Sequence, residues 1–387
     1  MSKKIRVLIN AITTKKNAGG AFQIAYNFVQ KTIEHQDIDW IYVISEDLNA
    51  ILGNEIKKCP NYYVFPTQPD FKGTYNKVKR ELKELERNVK PDVVYSITSP
   101  SYFNFDAPEV MRFTNPWVTH PNRYSWAILS LKNNFRQKLY CWNQRRLLKK
   151  ASYFVTQTEV TKKGIIRITG VNDDHVKVVK NVLPAIFASL DNRHVKLNDS
   201  HIHIACIGAP VPHKNFDIIP DVLKCLQDIG INNVRFHVTI PENESLIKLI
   251  QKKLEVNNVD MNAIVNHGRL TQQELAKVYQ RCDLCFLPTL LEVFSVSTLE
   301  AMFFNLKIIA TDFLFNREVL ADAALYYKPM NAEDAARKIS QLITDADIQS
   351  ELSKRMKDRL SLFDNYENHF NEIKCFLIEV GKRAEMS

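Results

Sequence analysis

The sequence predicts two α/β domains in tandem, each built on a doubly wound parallel sheet. The chain has 387 residues, which is more than a single hydrophobic core usually organises. Short β-branched segments alternate with amphipathic segments of about 10–15 residues, which is typical of βαβ units. The alternation starts again at His201, after the polar segment Ser189–Ser200. We therefore expect an N-terminal domain over 1–190, a second domain over 191–365, and a C-terminal helix over 366–387 that packs back toward the N-terminal domain.

Seven strands are predicted in the N-terminal half, each a short run of β-branched or aromatic residues between turn-forming residues. They are Ile5–Asn10, Trp40–Ser45, Tyr62–Phe65, Val93–Ser96, Val110–Phe113, Tyr153–Thr156 and Val176–Val179. Helical periodicity between them predicts helices near 20–35, 74–90, 123–150 and 159–169.

Six further strands are predicted in the C-terminal half. They are Ile202–Gly208, Arg235–Ile240, Ala263–Asn266, Leu284–Pro288, Lys307–Thr311 and Ala324–Tyr327. Helices are predicted near 215–229, 243–255, 271–280, 297–304 and 331–344. Because ligands of open α/β sheets bind at the carboxyl ends of the strands, the loops after these strands are where we expect the functional residues.

Composition excludes several classes of protein. The hydrophobic share is 45% and the charged share 25%, which argues against a disordered or fibrous chain. No segment approaches the roughly 18 uninterrupted apolar residues of a transmembrane helix. The basic N-terminus precedes only a short apolar run, so we interpret it as the first strand and not as a secretory signal. Seven scattered cysteines do not suggest a disulfide framework, and we expect a reducing cytoplasm.

The charge is distributed unevenly along the chain. Residues 1–190 carry 29 Lys and Arg against 16 Asp and Glu, whereas the remaining residues carry 23 against 27. Such asymmetry indicates that the first half faces an anionic partner. Nucleic acid, a phospholipid surface and a phosphorylated small molecule all fit this charge.

The segment from Leu284 to Asp312 is the most informative part of the sequence. A predicted buried strand ends at Pro288-Thr289, a loop carries Glu292, and Ser297-Thr298-Leu299-Glu300 opens a helix. Ser-x-x-Glu has the spacing of a capping box. The N-terminus of a helix also binds phosphate well, because its first N–H groups are unpaired. These residues alone leave open whether Ser297 and Glu300 only cap the helix or also bind a ligand.

This segment resembles the retaining glycosyltransferases of family 4, which have the GT-B fold. The family pattern is a strand, Pro-Ser/Thr, Glu-Gly-Phe-Gly-x-x-x-x-Glu-Ala-Met, a second strand and Asp. The matching residues here are Pro288, Thr289, Glu292, Phe294, Glu300, Ala301, Met302 and Asp312. The flanking segments that start at His267-Gly268 and at Asn316 are also similar to the family. The resemblance implies two Rossmann-like doubly wound domains facing a central cleft.

The resemblance also assigns roles to residues. Lys214, in the segment Cys206–Asn215, would lie against the donor diphosphate, and Glu292 would hold hydroxyls of the donor sugar; both are expected to be catalytic. Glu300 would bind the ribose. The remaining donor-binding residues would be Ser295, Val296, Ser297, Thr298, Gly268, Gly208 and Pro288. A loop with Gly19 and Gly20, together with Asn115 and His120, would reach donor and acceptor from the N-terminal domain.

The sequence departs from the family pattern at several positions. Val293 and Ser295 stand where the family has glycines beside the donor sugar, which narrows the pocket or shifts the loop. Ala209 and Pro210 occupy the place of an arginine that usually precedes the lysine. The family histidine falls near Thr114-Asn115, and His120 is the candidate to replace it.

Other functional motifs do not support a rival assignment. Cys282-x-x-Cys285 has no second cysteine pair and lies across a predicted strand, so core packing is a better interpretation than zinc. The chain has neither a phosphate-binding loop nor a dinucleotide-binding glycine motif. Asp37-x-Asp39 and Asp345-x-Asp347 lie outside strand-end loops. We therefore expect no metal and no cofactor other than the nucleotide-diphosphate sugar that serves as donor.

Residues Arg123–Lys150 contain eight basic residues, no acidic residue and two tryptophans. A basic helix with aromatic residues is typical of contact with an anionic membrane, although a solvated helix that covers a sheet is the simpler alternative. Nucleic-acid binding has no supporting motif. We expect a location in the cytoplasm or on the inner face of the cell membrane.

The expected function is retaining transfer of a sugar to an acceptor hydroxyl, on a lipid-linked glycan of surface polysaccharide such as lipopolysaccharide, O-antigen or capsule. The alternatives are a nucleotide-sugar epimerase or another GT-B enzyme, and a degenerate transferase that only scaffolds polysaccharide assembly.

Overall fold

The computed structural model describes residues 4–16, 20–35, 37–67 and 73–386. These residues form two compact units. The first contains the described residues of Met1–Thr119, Gln137–Val179 and Glu367–Ser387, and the second contains His120–Arg136 and Lys180–Tyr366. The domain limits expected from the sequence stay predictions. None of the helices in the described ranges has the length and apolar character needed to cross a bilayer.

The first unit is built on a parallel sheet of seven described strands. They are β1 (Arg6–Ala11), β2 (Asp39–Ser45), β3 (Tyr62–Phe65), β4 (Val93–Ser96), β5 (Glu109–Arg112), β6 (Tyr153–Thr156) and β7 (Val176–Val178). Their order across the sheet is β3-β2-β1-β4-β5-β6-β7. Val7 pairs with Trp40 on one side and with Val93 on the other, which places β1 in the interior of the sheet.

Eight described helices precede the second sheet in the chain. They are α1 (Gly20–Glu34), α2 (Glu46–Leu52), α3 (Tyr75–Val89), α4 (Pro116–Thr119), α5 (Arg123–Ala127), α6 (Leu131–Leu148), α7 (Glu159–Thr169) and α8 (Ala185–Ala188). The single helix predicted over 123–150 is wrong, because α5 ends at Ala127 and α6 starts at Leu131. Ser130 separates the two helices: its hydroxyl oxygen accepts the N–H of Asn133 at 3.3 Å, as an N-cap residue does.

The second unit is built on a parallel sheet of six described strands. They are β8 (Ile202–Cys206), β9 (Val234–Val238), β10 (Ile264–Asn266), β11 (Leu284–Leu287), β12 (Lys307–Thr311) and β13 (Leu325–Tyr327), in the order β10-β9-β8-β11-β12-β13. The strand order reverses between β8 and β11. In a doubly wound sheet this reversal opens a crevice at the carboxyl ends of the strands.

Eight more helices follow β8. They are α9 (Ile219–Asp228), α10 (Ser245–Val256), α11 (Gln272–Gln280), α12 (Val296–Phe303), α13 (Leu314–Leu320), α14 (Ala332–Thr344), α15 (Ala346–Leu360) and α16 (Tyr366–Met386). Helix α16 belongs to the first unit from Glu367 onward. Phe370 and Leu377 of this helix are fully buried in the core that covers one face of the first sheet.

The fold class predicted from the sequence is confirmed. All thirteen predicted strands are present, with ends shifted by at most two residues. Each sheet carries an apolar core on both of its faces. Cys282 and Cys285 are buried in one of the cores of the second unit, and neither forms a disulfide.

Candidate functional site

The loop between β11 and α12 lies at the carboxyl edge of the second sheet. It starts at Pro288 and is largely buried: Leu290 and Leu291 are fully buried and Val293 is 2% exposed. The hydroxyl of Thr311, the last residue of β12, donates to the carbonyl of Thr289 at 2.6 Å. The loop after β11 is therefore held by the core beneath it and by the neighbouring strand. We call residues 288–295 the β11 loop.

Lys214 and Glu292 form an ion pair at this edge. Lys214 ends a short 3₁₀ turn after β8, Pro212–Lys214, and its Nζ lies 2.5 Å from Oε2 of Glu292 in the β11 loop. The two side chains are 13% and 20% exposed. The carbonyl of His213 accepts the N–H of Leu290 at 2.8 Å, so a backbone bond fixes the same two segments to each other.

The charges of this pair are set by burial and by proximity. Burial alone would raise the pKa of Glu292, but the Lys214 ammonium beside it lowers that pKa below its ordinary value. Burial lowers the pKa of the neighbouring His213 to about 4, although Glu292 acts in the opposite direction. At neutral pH the site therefore holds an ionised carboxylate, and His213 is uncharged.

Glu300 lies on the first turns of α12 and is 7% exposed. Its Oε2 accepts a hydrogen bond from the hydroxyl of Tyr279 at 2.8 Å. Burial raises the pKa of Glu300 to about 7, and the bond from Tyr279 offsets only part of that effect. The capping box predicted for Ser297 and Glu300 is wrong, because the Glu300 carboxylate is directed to Tyr279 of α11.

The N-terminus of α12 is organised by Ser295 in place of Ser297. Ser295 is the N-cap residue, and its side chain makes no capping bond. Its carbonyl accepts both the N–H of Thr298 at 3.1 Å and the Thr298 hydroxyl at 2.5 Å. Its own hydroxyl lies 2.7 Å from that of Ser297. Among the described residues, no acceptor is bonded to the N–H groups of Val296 and Ser297, which leaves two donors for an anion.

The loops after β8, β9 and β10 are joined by hydrogen bonds near Lys214. The Gly208 N–H donates to Thr239 Oγ1 at 3.4 Å, and a Cβ added at Gly208 would lie 3.7 Å from the Lys214 side chain. Asn266 Oδ1 accepts the N–H groups of Ile240 at 3.0 Å and of Gly268 at 3.2 Å. Gly268 has φ of +65°, a conformation that glycine adopts without strain.

His120 contacts the β11 loop. Its Nε2 lies 2.8 Å from the carbonyl oxygen of Glu292, so this ring nitrogen donates to it. Asn122 donates from Nδ2 to the carbonyl of Leu290 at 2.7 Å. The segment that starts at His120 therefore supports the backbone on both sides of Leu291, next to the ion pair.

The other residues expected from the N-terminal domain belong to the first unit or are not described. Asn115 belongs to the first unit, where its Oδ1 accepts the N–H of Trp117 at 3.1 Å. Gly20 is the first residue of α1. Gly19 lies outside the described residues.

The structure adds residues that sequence reasoning missed. Asn122 and Asn266 hold backbone groups of the site, and His213 is buried beside the ion pair. A polar residue at the carboxyl end of a predicted strand was a usable signal for Asn266. No signal in the sequence pointed to Asn122, because its partner is 168 residues away.

Comparison with known proteins relates the second unit to glycosyl transferases. Residues 190–359 match the family model described as Glycosyl transferases group 1. The matched residues lie in the second unit and make up less than half of the chain.

Two curated relatives are glycosyltransferases by name. An uncharacterized glycosyltransferase of Methanocaldococcus jannaschii is 24% identical over 170 residues, which is 43% of this chain and 46% of the relative. The O-antigen chain mannosyltransferase RfbU of Salmonella typhimurium is 20% identical over 235 residues, which is 60% of each protein. The chain thus spans about half to three fifths of the length of these relatives.

Solved structures match almost the whole fold. HepE of Anabaena, in complex with UDP and glucose, is 15% identical with a TM-score of 0.67, over 97% of this chain and 100% of that one. At this identity the likeness shows the fold, which is that of GT-B glycosyltransferases, and leaves the activity to be argued from the site.

Within the described ranges, no group of three or more His, Cys, Asp and Glu side chains is arranged to hold a metal ion.

Proposed function

We propose that this protein is a metal-independent retaining hexosyltransferase of family 4. It would transfer a sugar from a nucleotide-diphosphate sugar to an acceptor hydroxyl of a lipid-linked glycan in surface polysaccharide synthesis. The observation that carries the proposal is the Lys214–Glu292 ion pair beside the β11 loop, in a unit whose sequence matches the group 1 family model.

The diphosphate is assigned to the cationic side of this edge. Lys214 supplies one ammonium group, and the N–H groups of Val296 and Ser297 supply a helix N-terminus for phosphate oxygens. When the diphosphate binds, it competes with Glu292 for Lys214. Glu292 is then released to accept hydroxyl hydrogens of the sugar, and this exchange orients the anomeric carbon as the leaving group is neutralised.

Glu300 is assigned to the ribose of the donor. Its Oε2 is held by Tyr279, and a carboxylate has a second oxygen that accepts hydrogen bonds. Glu300→Gln keeps an acceptor for Tyr279 and removes the charge. We expect its donor Kd to rise about tenfold, since hydrogen bonds to charged groups contribute roughly 1.5–3 kcal/mol.

The acceptor class is inferred from a relative and from α6. One curated relative is named as an O-antigen chain mannosyltransferase. On α6, Leu131, Phe135, Leu139 and Trp142 are between 57% and 93% exposed. Their spacing places them on one side of the helix, opposite the buried Cys141, Gln144 and Leu148. An exposed apolar face among basic residues suits the inner, anionic surface of a membrane that carries a lipid-linked acceptor.

The first experiment is a screen of nucleoside diphosphates for thermal stabilisation. A nucleotide at about 100 times its Kd adds about 2.7 kcal/mol to the free energy of unfolding. The nucleotide that stabilises the protein is then tested as its sugar conjugate for transfer to lipid-linked glycans. Product stereochemistry decides between retention and inversion. Epimerised donor without transfer would instead identify an epimerase, and binding without turnover would identify a scaffold.

The same assay tests the assigned electrostatics. Activity should survive EDTA, and Lys214→Ala should reduce kcat/KM by roughly 30- to 1,000-fold, the effect of removing one preorganised electrostatic contact. Lys248→Ala, an exposed lysine on α10, is the matched control and should leave activity unchanged. Loss of activity in EDTA that Mn²⁺ or Mg²⁺ restores would contradict metal independence.

A further inference from the structure

Three histidines of the second unit are hydrogen-bonded in a row across its sheet. His203 lies in β8, His237 in β9, and His267 directly after β10. Nδ1 of His203 is 2.8 Å from Nε2 of His237, and Nδ1 of His237 is 2.9 Å from Nε2 of His267. His203 and His237 are 4% and 5% exposed, so water has little access to these bonds.

The register of the strands brings the three rings together. His237 pairs with Ala205 on one side and with Val265 on the other. His203 and His267 are each two residues from those partners, and side chains two residues apart lie on the same face of a sheet. The rings of His237 and His267 are stacked, with centroids 5.1 Å apart.

Asp199 ends the row on the side where the strands begin. Its Oδ1 lies 3.1 Å from Nε2 of His203, and the backbone N–H of His201 also donates to this carboxylate at 3.1 Å. The bond to His203 is the main reason that the pKa of Asp199 is lowered. A carboxylate only accepts hydrogen bonds, so Nε2 of His203 carries a hydrogen. We call Asp199, His203, His237 and His267 the histidine relay.

The direction of the hydrogen bonds then follows from proton accounting. A neutral imidazole has one N–H group. Because His203 donates from Nε2 to Asp199, its Nδ1 accepts from Nε2 of His237, and Nδ1 of His237 accepts from Nε2 of His267. In the neutral relay Nδ1 of His267 carries no hydrogen.

The surroundings favour the neutral forms of the last two rings. Burial, then the other two histidines, then Arg235 and Arg281 lower the pKa of His237 to about 3. Burial and Arg281 lower the pKa of His267 as well. No described residue donates a hydrogen bond to Nδ1 of His267, so this acceptor is available to a ligand.

His267 lies on the same edge as the proposed donor site. Asn266 and Gly268, its neighbours in the chain, are bonded to each other and, through Ile240, to the loop after β9. Thr239 of that loop is hydrogen-bonded to the N–H of Gly208. The Lys214 side chain lies next to Gly208.

We propose that Asp199, acting through His203 and His237, fixes the tautomer of His267 and presents its Nδ1 as an acceptor for an N–H or O–H group of the bound nucleotide. The inference rests on the proposed function. Asp199, His203 and His237 are positioning residues, and His267 is a residue that determines specificity.

The tautomers can be observed by ¹⁵N NMR of the full chain with labelled histidine at pH 7.5. We expect Nε2 to be protonated and Nδ1 to be bare at all three rings. In Asp199→Asn the amide can donate as well as accept, so the direction is no longer fixed and an Nδ1–H population should appear at His267. Protonated Nδ1 at His267 in the unsubstituted protein, or a charged His203, would overturn the proposal.

Calorimetric titration with UDP tests the link to the ligand. Loss of one hydrogen bond corresponds to a rise in Kd of about two- to tenfold in Asp199→Asn. The matched control is Asp283→Asn, which removes a carboxylate that accepts the backbone N–H of His203 at 2.8 Å and contacts none of the relay's ring nitrogens; its Kd should not change.

Two other outcomes decide against the proposal. Equal UDP affinity of Asp199→Asn and the unsubstituted protein, with altered tautomers, would show that His267 does not contact the nucleotide. Failure of the unsubstituted protein to bind any nucleoside diphosphate would overturn the proposed function and the ligand assigned to His267. The NMR spectra would still show separately whether the relay exists.

Discussion

Glu300 is a carboxyl group in a nearly dry environment, bonded to the hydroxyl of Tyr279. Because burial raises its pKa from 4.5 to about 7, the folded state binds a proton that the unfolded state has lost between these values. The contribution of Glu300 to stability is therefore fully present below pH 4.5 and is lost as pH rises to 7.

Glu300→Gln should remove this dependence on pH, since the amide cannot ionise. We compare the free energy of unfolding of the variant with that of the unsubstituted protein. The difference should be about 2 kcal/mol more in favour of the variant at pH 8 than at pH 5. Urea unfolding at both pH values measures the difference. Glu255→Gln, at an exposed glutamate of α10, is the control for the loss of one carboxylate. A constant difference between variant and parent at both pH values would show that Glu300 has an ordinary pKa.

The Lys214–Glu292 pair should be tested by a double-mutant cycle. Lys214→Met leaves the Glu292 carboxylate without its cation, and we expect a loss of about 1–3 kcal/mol, less than for a fully buried pair because both side chains retain contact with water. Lys214→Met with Glu292→Gln removes both charges and should recover most of that loss. Additive effects of the two substitutions would contradict the pair.

The ion pair also affects how the stability of the protein depends on pH. The lowered pKa of Glu292 means that its contribution is present above the ordinary value of 4.5 and is lost as pH falls through the lowered one. In Lys214→Met burial acts on Glu292 without the opposing cation and raises its pKa above 4.5, so the sign should reverse: stability should fall as pH rises through the raised pKa. Denaturation curves from pH 3 to pH 7 measure the shift.

At the scale of single elements, α6 is distinguished by apolar side chains that the fold leaves exposed. Phe135 and Trp142 are 70% and 59% exposed, and Lys132, Arg136 and Arg146 accompany them on the helix. Arg145 is less suited to an external partner, because its guanidinium donates to the carbonyl of Val118.

Sedimentation with liposomes tests this face. We expect binding to anionic vesicles at low salt and weak binding at 1 M salt, where the Debye length is about 3 Å. Replacing Lys132, Arg136 and Arg146 by Gln should reduce it, since each basic residue at an anionic surface contributes about 1 kcal/mol. Phe135→Ser with Trp142→Ser should reduce it too.

The control for loss of charge is a variant in which three exposed lysines elsewhere, Lys248, Lys252 and Lys354, are replaced by Gln. This control should bind liposomes as the parent protein does. Equal binding to neutral and anionic vesicles, or binding to neither, would leave α6 an ordinary solvated helix.

At the scale of the whole molecule, the chain returns to its first unit at its C-terminal end. Phe370, Ile373 and Leu377 of α16 are at most 1% exposed, in the core formed with β1 and α1. Gly381 allows the helix to approach Ile5, the residue before β1, because a Cβ there would lie 3.2 Å from the Ile5 side chain.

Phe370→Ala should therefore destabilise the first unit by about 3–5 kcal/mol, the usual effect of removing a buried aromatic ring. Three of the four tryptophans, Trp40, Trp117 and Trp142, belong to this unit, so fluorescence during urea unfolding reports on it. Lys382→Ala, at an exposed position of the same helix, is the control. An unchanged midpoint in Phe370→Ala would show that α16 does not contribute to this core.

The sequence was sufficient for the fold, and for the segments that carry the candidate site. β-Branched runs and amphipathic periods depend on residues close together in the chain, so all thirteen strands could be located. The break between α5 and α6 was missed. A serine such as Ser130 can either continue a helix or cap the next one, and the packing of the two segments decides between these outcomes.

The contacts within the site were decided by tertiary structure. Lys214 meets Glu292 across 78 residues, and Glu300 is bonded to Tyr279 although its spacing from Ser297 fits a local cap. The histidine relay joins three strands whose register the sequence does not state. Sequence determines which side chains follow each strand, because that depends on local periodicity. Strand order, register and burial determine which of them meet, because a buried polar group takes the partner that the packed sheet places within reach.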